Sequence, residues 1–153
     1  MTGRLSPIRS SAPQLLASAE LVTETPGEGF SEITREAARF VEQCGAGDGV
    51  LLLYLRHTSA SLVIQENADP DVQADLVAAL RRLAPADGPW VHTAEGPDDM
   101  PGHIKAMLAG VSLHVPVQGG TLMLGTWQGI YLVEHRARPH RREIVLQFVG
   151  MTD

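Results

Sequence analysis

Six consecutive apolar residues, Val50 to Leu55, restrict the fold more than any other stretch of the chain. A strand with one wet face alternates polar and apolar side chains, so an unbroken run of this length predicts a strand covered on both faces. It is far shorter than the ~20 residues that span a bilayer, and no other run approaches that length. The chain after this strand reads directly into Arg56-His57-Thr58-Ser59-Ala60-Ser61, and Leu62 to Ile64 continue as a second strand.

The other elements follow from periodicity and punctuation. Gln14 to Thr25 predicts a strand, broken by Pro26, Gly27 and Gly29. Ser31 is placed as the N-cap of a helix with Ile33, Ala37, Phe40, Val41 and Cys44 on its apolar face, closed by Gly45. On that face Cys44 reads as a small hydrophobe rather than a nucleophile. Gly47-Asp48-Gly49 reads as a turn. Asp69-Pro70-Asp71 starts a second helix whose buried stripe is Val72, Leu76, Leu80 and Leu83, stopped by Pro85. A polar irregular loop runs from Ala86 to Pro101. A short helix follows, capped by Asp99 or Met100, with Ile104, Met107 and Leu108 as its apolar residues. Val111, Leu113, Val115 and Val117 alternate with Ser112, His114 and Pro116, as in a half-buried strand. Strands from Thr121 to Leu124, Ile130 to Val133 and Ile144 to Val149 complete the chain, with Arg136 to Arg142 a basic connection. The expectation is one α+β domain over 14–153 behind a flexible tail, 1–13, with seven or eight mostly antiparallel strands and three helices.

The formal net charge of -6 argues against general nucleic-acid binding, which needs excess Lys and Arg to displace counterions. One cysteine permits no internal disulfide, and no signal peptide or membrane span is read, so a cytoplasmic setting is expected.

Chemistry gathers around the polar loop. His92 and His103 flank Glu95, Asp98 and Asp99, and His57 ends the apolar strand. Imidazole and carboxylate together suit a divalent ion, zinc or magnesium. His57 and Ser59 would share a strand face, but no nucleophile-elbow pattern supports a serine triad. Glu134 and His135 point to opposite faces of a regular strand. Glu134 follows Leu132 on a buried face and needs a partner or a metal. Which of the two faces a pocket is open at this level. Arg136, Arg138, Arg141 and Arg142 with His140 form a basic cluster that suits phosphate if it borders the acidic loop, and is otherwise a solvated turn.

His57-Thr58-Ser59-Ala60-Ser61-Leu62, Glu66-Asn67-Ala68-Asp69-Pro70, His92, Glu95-Gly96, Asp98-Asp99-Met100-Pro101, His103-Ile104-Lys105, Gly125-Thr126-Trp127-Gln128-Gly129-Ile130 and Glu134-His135-Arg136 together resemble the YjbQ-like family of small bacterial and archaeal proteins. The resemblance covers nearly everything after the tail. It implies a β-sandwich or barrel-like sheet, a homotrimer, a metal-associated histidine cluster and thiamine-phosphate-synthase-type transfer, joining a thiazole phosphate to a pyrimidine diphosphate. Carried over, His57, His92 and His103 are the expected metal ligands. Glu95, Asp99 and Glu134 are the expected acid–base groups. Asn67, Lys105, Trp127, Gln128 and Arg136 would bind the phosphorylated small-molecule substrate. Two alternatives use the same site: a metal-dependent hydrolase or lyase, and a non-catalytic trimeric module that binds a metal or small ligand.

Overall fold

The computed structural model describes residues 6–153; part of the expected tail, residues 1–5, lies outside them, and residues 6–14 form no helix or strand. Eight strands and three helices follow: β1 (Leu15–Thr25), β2 (Gly29–Glu32), α1 (Thr34–Gln43), β3 (Ala46–Leu55), β4 (Ala60–Glu66), α2 (Pro70–Leu83), α3 (Asp99–Ala109), β5 (Ser112–Gln118), β6 (Thr121–Leu122), β7 (Gln128–Glu134) and β8 (His140–Thr152). They build two antiparallel sheets, one of five strands in the order β1-β8-β3-β5-β6 and one of three in the order β2-β7-β4. This is the expected α+β class.

The core lies between the sheets. Leu51, Leu53, Leu55, Ile144, Leu146 and Phe148 from the large sheet meet Ala60, Leu62, Ile130 and Leu132 from the small one, with Ala37 and Val41 of α1 and Ile33 just before it joining them. The remaining helices pack on the small sheet, α2 against β2 and α3 against β4. That placement corrects the reading of the apolar run. Of Val50 to Leu55 only Leu51, Leu53 and Leu55 are buried, while Val50 and Leu52 are half-buried and Tyr54 is exposed. The strand covered on both faces is β7, where every residue from Gly129 to Glu134 is buried, as is His135 just beyond it. α2 and α3 pack on the small sheet, whereas α1 sits against strands of both sheets.

Four local expectations also change. Ser31 is not a helix cap: it lies in β2 opposite Leu132, and α1 starts after Ile33. The Thr34 hydroxyl instead accepts from Ile130 N–H at 2.9 Å and ties helix to sheet. Gly47 to Gly49 continue β3 through a bulge rather than turning, because Gly49 pairs with Gly150 and neither has room for a side chain. The α2 stripe is only half-buried and its Leu83 is 66% exposed, since α2 sits at the edge of the small sheet. Asp69 does cap α2, accepting from Asp71 N–H at 2.9 Å. In α3, Met107 and Leu108 face outward. The inward face is Pro101, Gly102, Lys105 and Ala106, and Gly102 lets the helix approach Ser59 closely.

Candidate metal centre

Asp99 opens α3 and His103 follows one turn later, so both project from the same face. His92 comes from the polar loop. The three side chains converge: Asp99 Oδ2 lies 2.7 Å from His92 Nε2 and 3.0 Å from His103 Nε2. One donor atom from each lies within 4.8 Å of the other two, the one such group of three or more among the described residues.

The surrounding bonds define the protonation. His103 Nδ1 sits 2.8 Å from the Thr58 carbonyl oxygen, which only accepts, so Nδ1 carries the proton. In a neutral ring Nε2 then presents a lone pair to a carboxylate oxygen. Two acceptors at 3.0 Å repel unless a second proton or a cation lies between them. Asp99 is held from its other side by Arg136, whose guanidinium donates to Asp99 Oδ1, to Asp98 Oδ2 at 3.2 Å and to the Glu95 carbonyl at 2.9 Å. Burial pushes the Asp99 carboxyl up, but the His92 bond and the charges of His103 and Arg136 outweigh it and hold it below the usual carboxylate range. A backbone carbonyl behind a histidine and a guanidinium behind a carboxylate are the outer partners that orient metal ligands.

His57 does not join this group. Its Nε2 accepts the Glu143 N–H at 2.9 Å, and the residue stands on the wall of an open groove of about 930 Å3 that also reaches His103. Glu95 contributes its carbonyl to Arg136, and its side chain lies on the exposed loop. Glu134 is 1% exposed, with its carboxylate taken up by Thr25 Oγ1 at 2.6 Å, Arg142 Nε at 2.8 Å, Arg142 Nη2 and Arg136 N–H at 3.1 Å. Lys105 is buried in an ion pair with Glu28, 2.9 Å away. Asn67, Trp127 and Gln128 gather at the opposite end of β7 from Glu134, roughly 20 Å along the strand. Within one chain, then, the expected substrate-binding residues fall into three places. The basic cluster does border the acidic loop, but Arg136 is bonded to it and Arg142 points into the core.

Arg142 and His135 carry roles the sequence reading did not assign. Arg142 is 4% exposed and also bonds Ser59 Oγ at 2.9 Å. Its period-2 spacing from Ile144, Leu146 and Phe148 was the available signal. His135 Nε2 bonds Ser61 Oγ at 2.8 Å inside the protein. Burial and the Lys105 charge lower its pKa to about 4. The unfolded ring titrates near ~6.5, so below that pH the unfolded chain takes up a proton that the folded chain refuses. Stability is expected to fall by about 3 kcal/mol between pH 6.5 and 4 from this residue alone. His135→Gln keeps a polar partner for Ser61 and removes that part of the slope. Urea midpoints for both proteins at pH 7 and 4.5 test it, and equal losses in the two would contradict the assignment.

The comparisons place the chain. Residues 19–151 match the family described as UPF0047 protein YjbQ-like. The chain belongs to the YjbQ-like family. A UPF0047 protein of Synechocystis is 46% identical over 131 residues, 85% of this chain and 89% of the relative. The UPF0047 protein YjbQ of Escherichia coli O157:H7 is 40% identical over 131 residues, 85% of this chain and 95% of the relative. A crystal structure from Clostridium acetobutylicum, of an uncharacterized conserved protein of the yjbq/upf0047 family, is 36% identical with a TM-score of 0.80, covering 85% of this chain and 98% of that one. These YjbQ-like names carry no reaction. The expected thiamine-phosphate-synthase activity is therefore overturned: family membership is established and the transfer reaction is not part of it. No helix among the described residues of this YjbQ-like chain is long and apolar enough to cross a membrane.

Proposed function

We propose that the protein binds one divalent transition-metal ion, zinc foremost, through His92, Asp99 and His103. The observation that supports this most is the convergence of His92 Nε2, Asp99 Oδ2 and His103 Nε2, with the carboxylate oxygen 2.7 and 3.0 Å from the two ring nitrogens. The donor set fits: two imidazole nitrogens and one carboxylate suit zinc-class ions, whereas magnesium prefers oxygen donors and water. Three protein ligands leave coordination open, the pattern of a catalytic rather than a structural zinc. When bound, such an ion supplies a Lewis acid and lowers the pKa of a coordinated water. Two neutral rings and one carboxylate leave the loaded site positive, which favours a small anionic ligand such as a phosphorylated molecule. Asp99 and His103 hold their positions through Arg136 and Thr58, so the chain contributes a pre-oriented site.

Zinc titration by calorimetry tests the reading. The wild type is expected to take one ion per chain, releasing protons as the imidazoles are deprotonated. His92→Ala and His103→Ala should each weaken binding more than about 100-fold, and His57→Ala should bind nearly as well as wild type. Equal losses in His57→Ala and His103→Ala would overturn this ligand set.

The homotrimer is supported by the outer face of the large sheet. Val50, Leu52, Tyr54, Val145 and Val149 leave that face apolar and uncovered by the chain itself, and a second copy would bury it. Sedimentation equilibrium is expected to give three chains, with Tyr54→Glu shifting the protein toward monomer. A monomeric wild type would contradict this.

A further inference from the structure

The side of α3 opposite His103 borders a separate cavity. Residues two apart on a helix point about 200° apart, so His103 and Lys105 look in different directions. The cavity measures about 380 Å3 and is lined by Glu28, Arg81, Lys105 and His135, with Pro85 and Pro101 among its apolar walls. That size falls in the range of small-ligand pockets, ~300–1,000 Å3.

Its polar wall carries unused donors. The Lys105 side chain is 5% exposed, and an ammonium has three N–H groups. One reaches Glu28 Oε2 at 2.9 Å, and the other two meet no partner among the described residues. His135 Nε2 meets the Ser61 hydroxyl, and with that hydroxyl donating, Nδ1 carries the ring proton and has no partner among the described residues. Glu28 is shared, since Arg81 Nε reaches its Oε1 at 2.6 Å. One carboxylate therefore faces two cations, and Asp98 is occupied by Arg136. The charges of the lining balance, Arg81 and Lys105 against Glu28 and Asp98, but the spare donors lie on the Lys105 side, while Pro85, Pro101 and the alanines are apolar. An inorganic oxyanion demands hydration on all sides, which prolines do not supply; an organic acid demands it only at its carboxylate.

We propose that this cavity binds a small organic carboxylate, whose oxygens accept from the free Lys105 donors and from His135 Nδ1 while its short hydrocarbon part lies against Pro85 and Pro101. Glu28 stays in place and shares Lys105 with the ligand; Arg81 neutralises Glu28, so without it the Glu28 charge competes with the ligand for Lys105. The site is independent of the metal centre.

Titration with propionate, followed by amide NMR shifts of Ala84 and Ala137, tests it. Wild type is expected to saturate with Kd on the order of 1 mM. Lys105→Met should raise Kd at least about tenfold by removing a charge-assisted bond. Arg81 is 65% exposed, so Arg81→Gln keeps the fold and should weaken binding about threefold; it decides the matter if Lys105→Met fails to fold. Inorganic phosphate should bind about tenfold more weakly than propionate, and added zinc should leave the propionate Kd unchanged. Four results would overturn the proposal. No saturation by about 50 mM would mean that the cavity holds only water. Phosphate binding as well as propionate would remove the apolar selection. Indifference to Arg81→Gln would place the anion elsewhere. Dependence on zinc would assign propionate to the metal.

Discussion

Replacing Glu134 with alanine is expected to destabilise the protein by about 3–5 kcal/mol, enough to remove much of the stability of an ordinary domain. The size follows from what is left behind. Arg142 is 4% exposed and spends two of its nitrogens on Glu134. Without the carboxylate, a buried guanidinium keeps only Ser59, and the Thr25 hydroxyl keeps only the longer bond to the His140 carbonyl at 3.1 Å. Burial pushes the Glu134 carboxyl up, but the bonds from Arg142, Thr25 and Arg136 N–H outweigh it and keep it ionised at neutral pH. Glu134→Leu combined with Arg142→Met removes both charges and should recover much of the loss, because desolvating an ion pair costs nearly what the pair returns. Urea unfolding of the two proteins checks the account. A structural Glu134 loses stability on substitution; an acid–base Glu134 would leave stability near wild type, and a loss under 1 kcal/mol would support that alternative.

Asp99→Asn is expected to lower zinc affinity more than about 100-fold, and Arg136→Ala about 10- to 100-fold, at nearly constant fold. The order is the informative part. Asp99 offers Oδ2 to both imidazoles and Oδ1 to Arg136, so the amide removes the anionic ligand itself. Arg136 touches no metal. It aims the carboxylate and balances its charge, so its loss loosens the ligand without removing it. Asp98 still lies beside Ala137 N–H at 2.8 Å and keeps the loop attached to the β7–β8 connection. Competition with a zinc-sensitive dye measures both variants. Arg136→Ala binding more weakly than Asp99→Asn would mean that the guanidinium, not the carboxylate, organises the centre.

The class and most elements were legible because hydrophobic period and turn residues act locally. Asp69-Pro70 placed α2, and alternation placed β5. Coverage was misjudged because it depends on which layer a distant segment joins. The apolar run in β3 faces the core on one side only, whereas β7, with glycine and glutamate at its ends, is buried on both. Ser31 resembled a helix cap, but backbone pairing with β7 satisfies more hydrogen bonds than one cap does. In the site, the sequence marked the region, with His92 and His103 flanking an acidic loop, but it read Asp99 as an acid–base group; that Asp99 Oδ2 lies between the two rings depends on the path of the loop. His57 joins them only through the family resemblance, and the Glu143 N–H that takes its Nε2 comes from a strand 86 residues away. The Glu134–Arg142 pair is eight residues apart across a connection between the two sheets, where side chains meet only once the packing of one sheet on the other is known.

The account rests on a metal at the junction of His92, Asp99 and His103. Crystals grown with zinc and measured across its absorption edge test that directly. The expected result is an anomalous peak about 2.0–2.2 Å from both Nε2 atoms and from Asp99 Oδ2, with a non-protein ligand completing the shell. At saturating zinc, a map with no peak there, or with the ion elsewhere and the three side chains still bonded to one another, would contradict it.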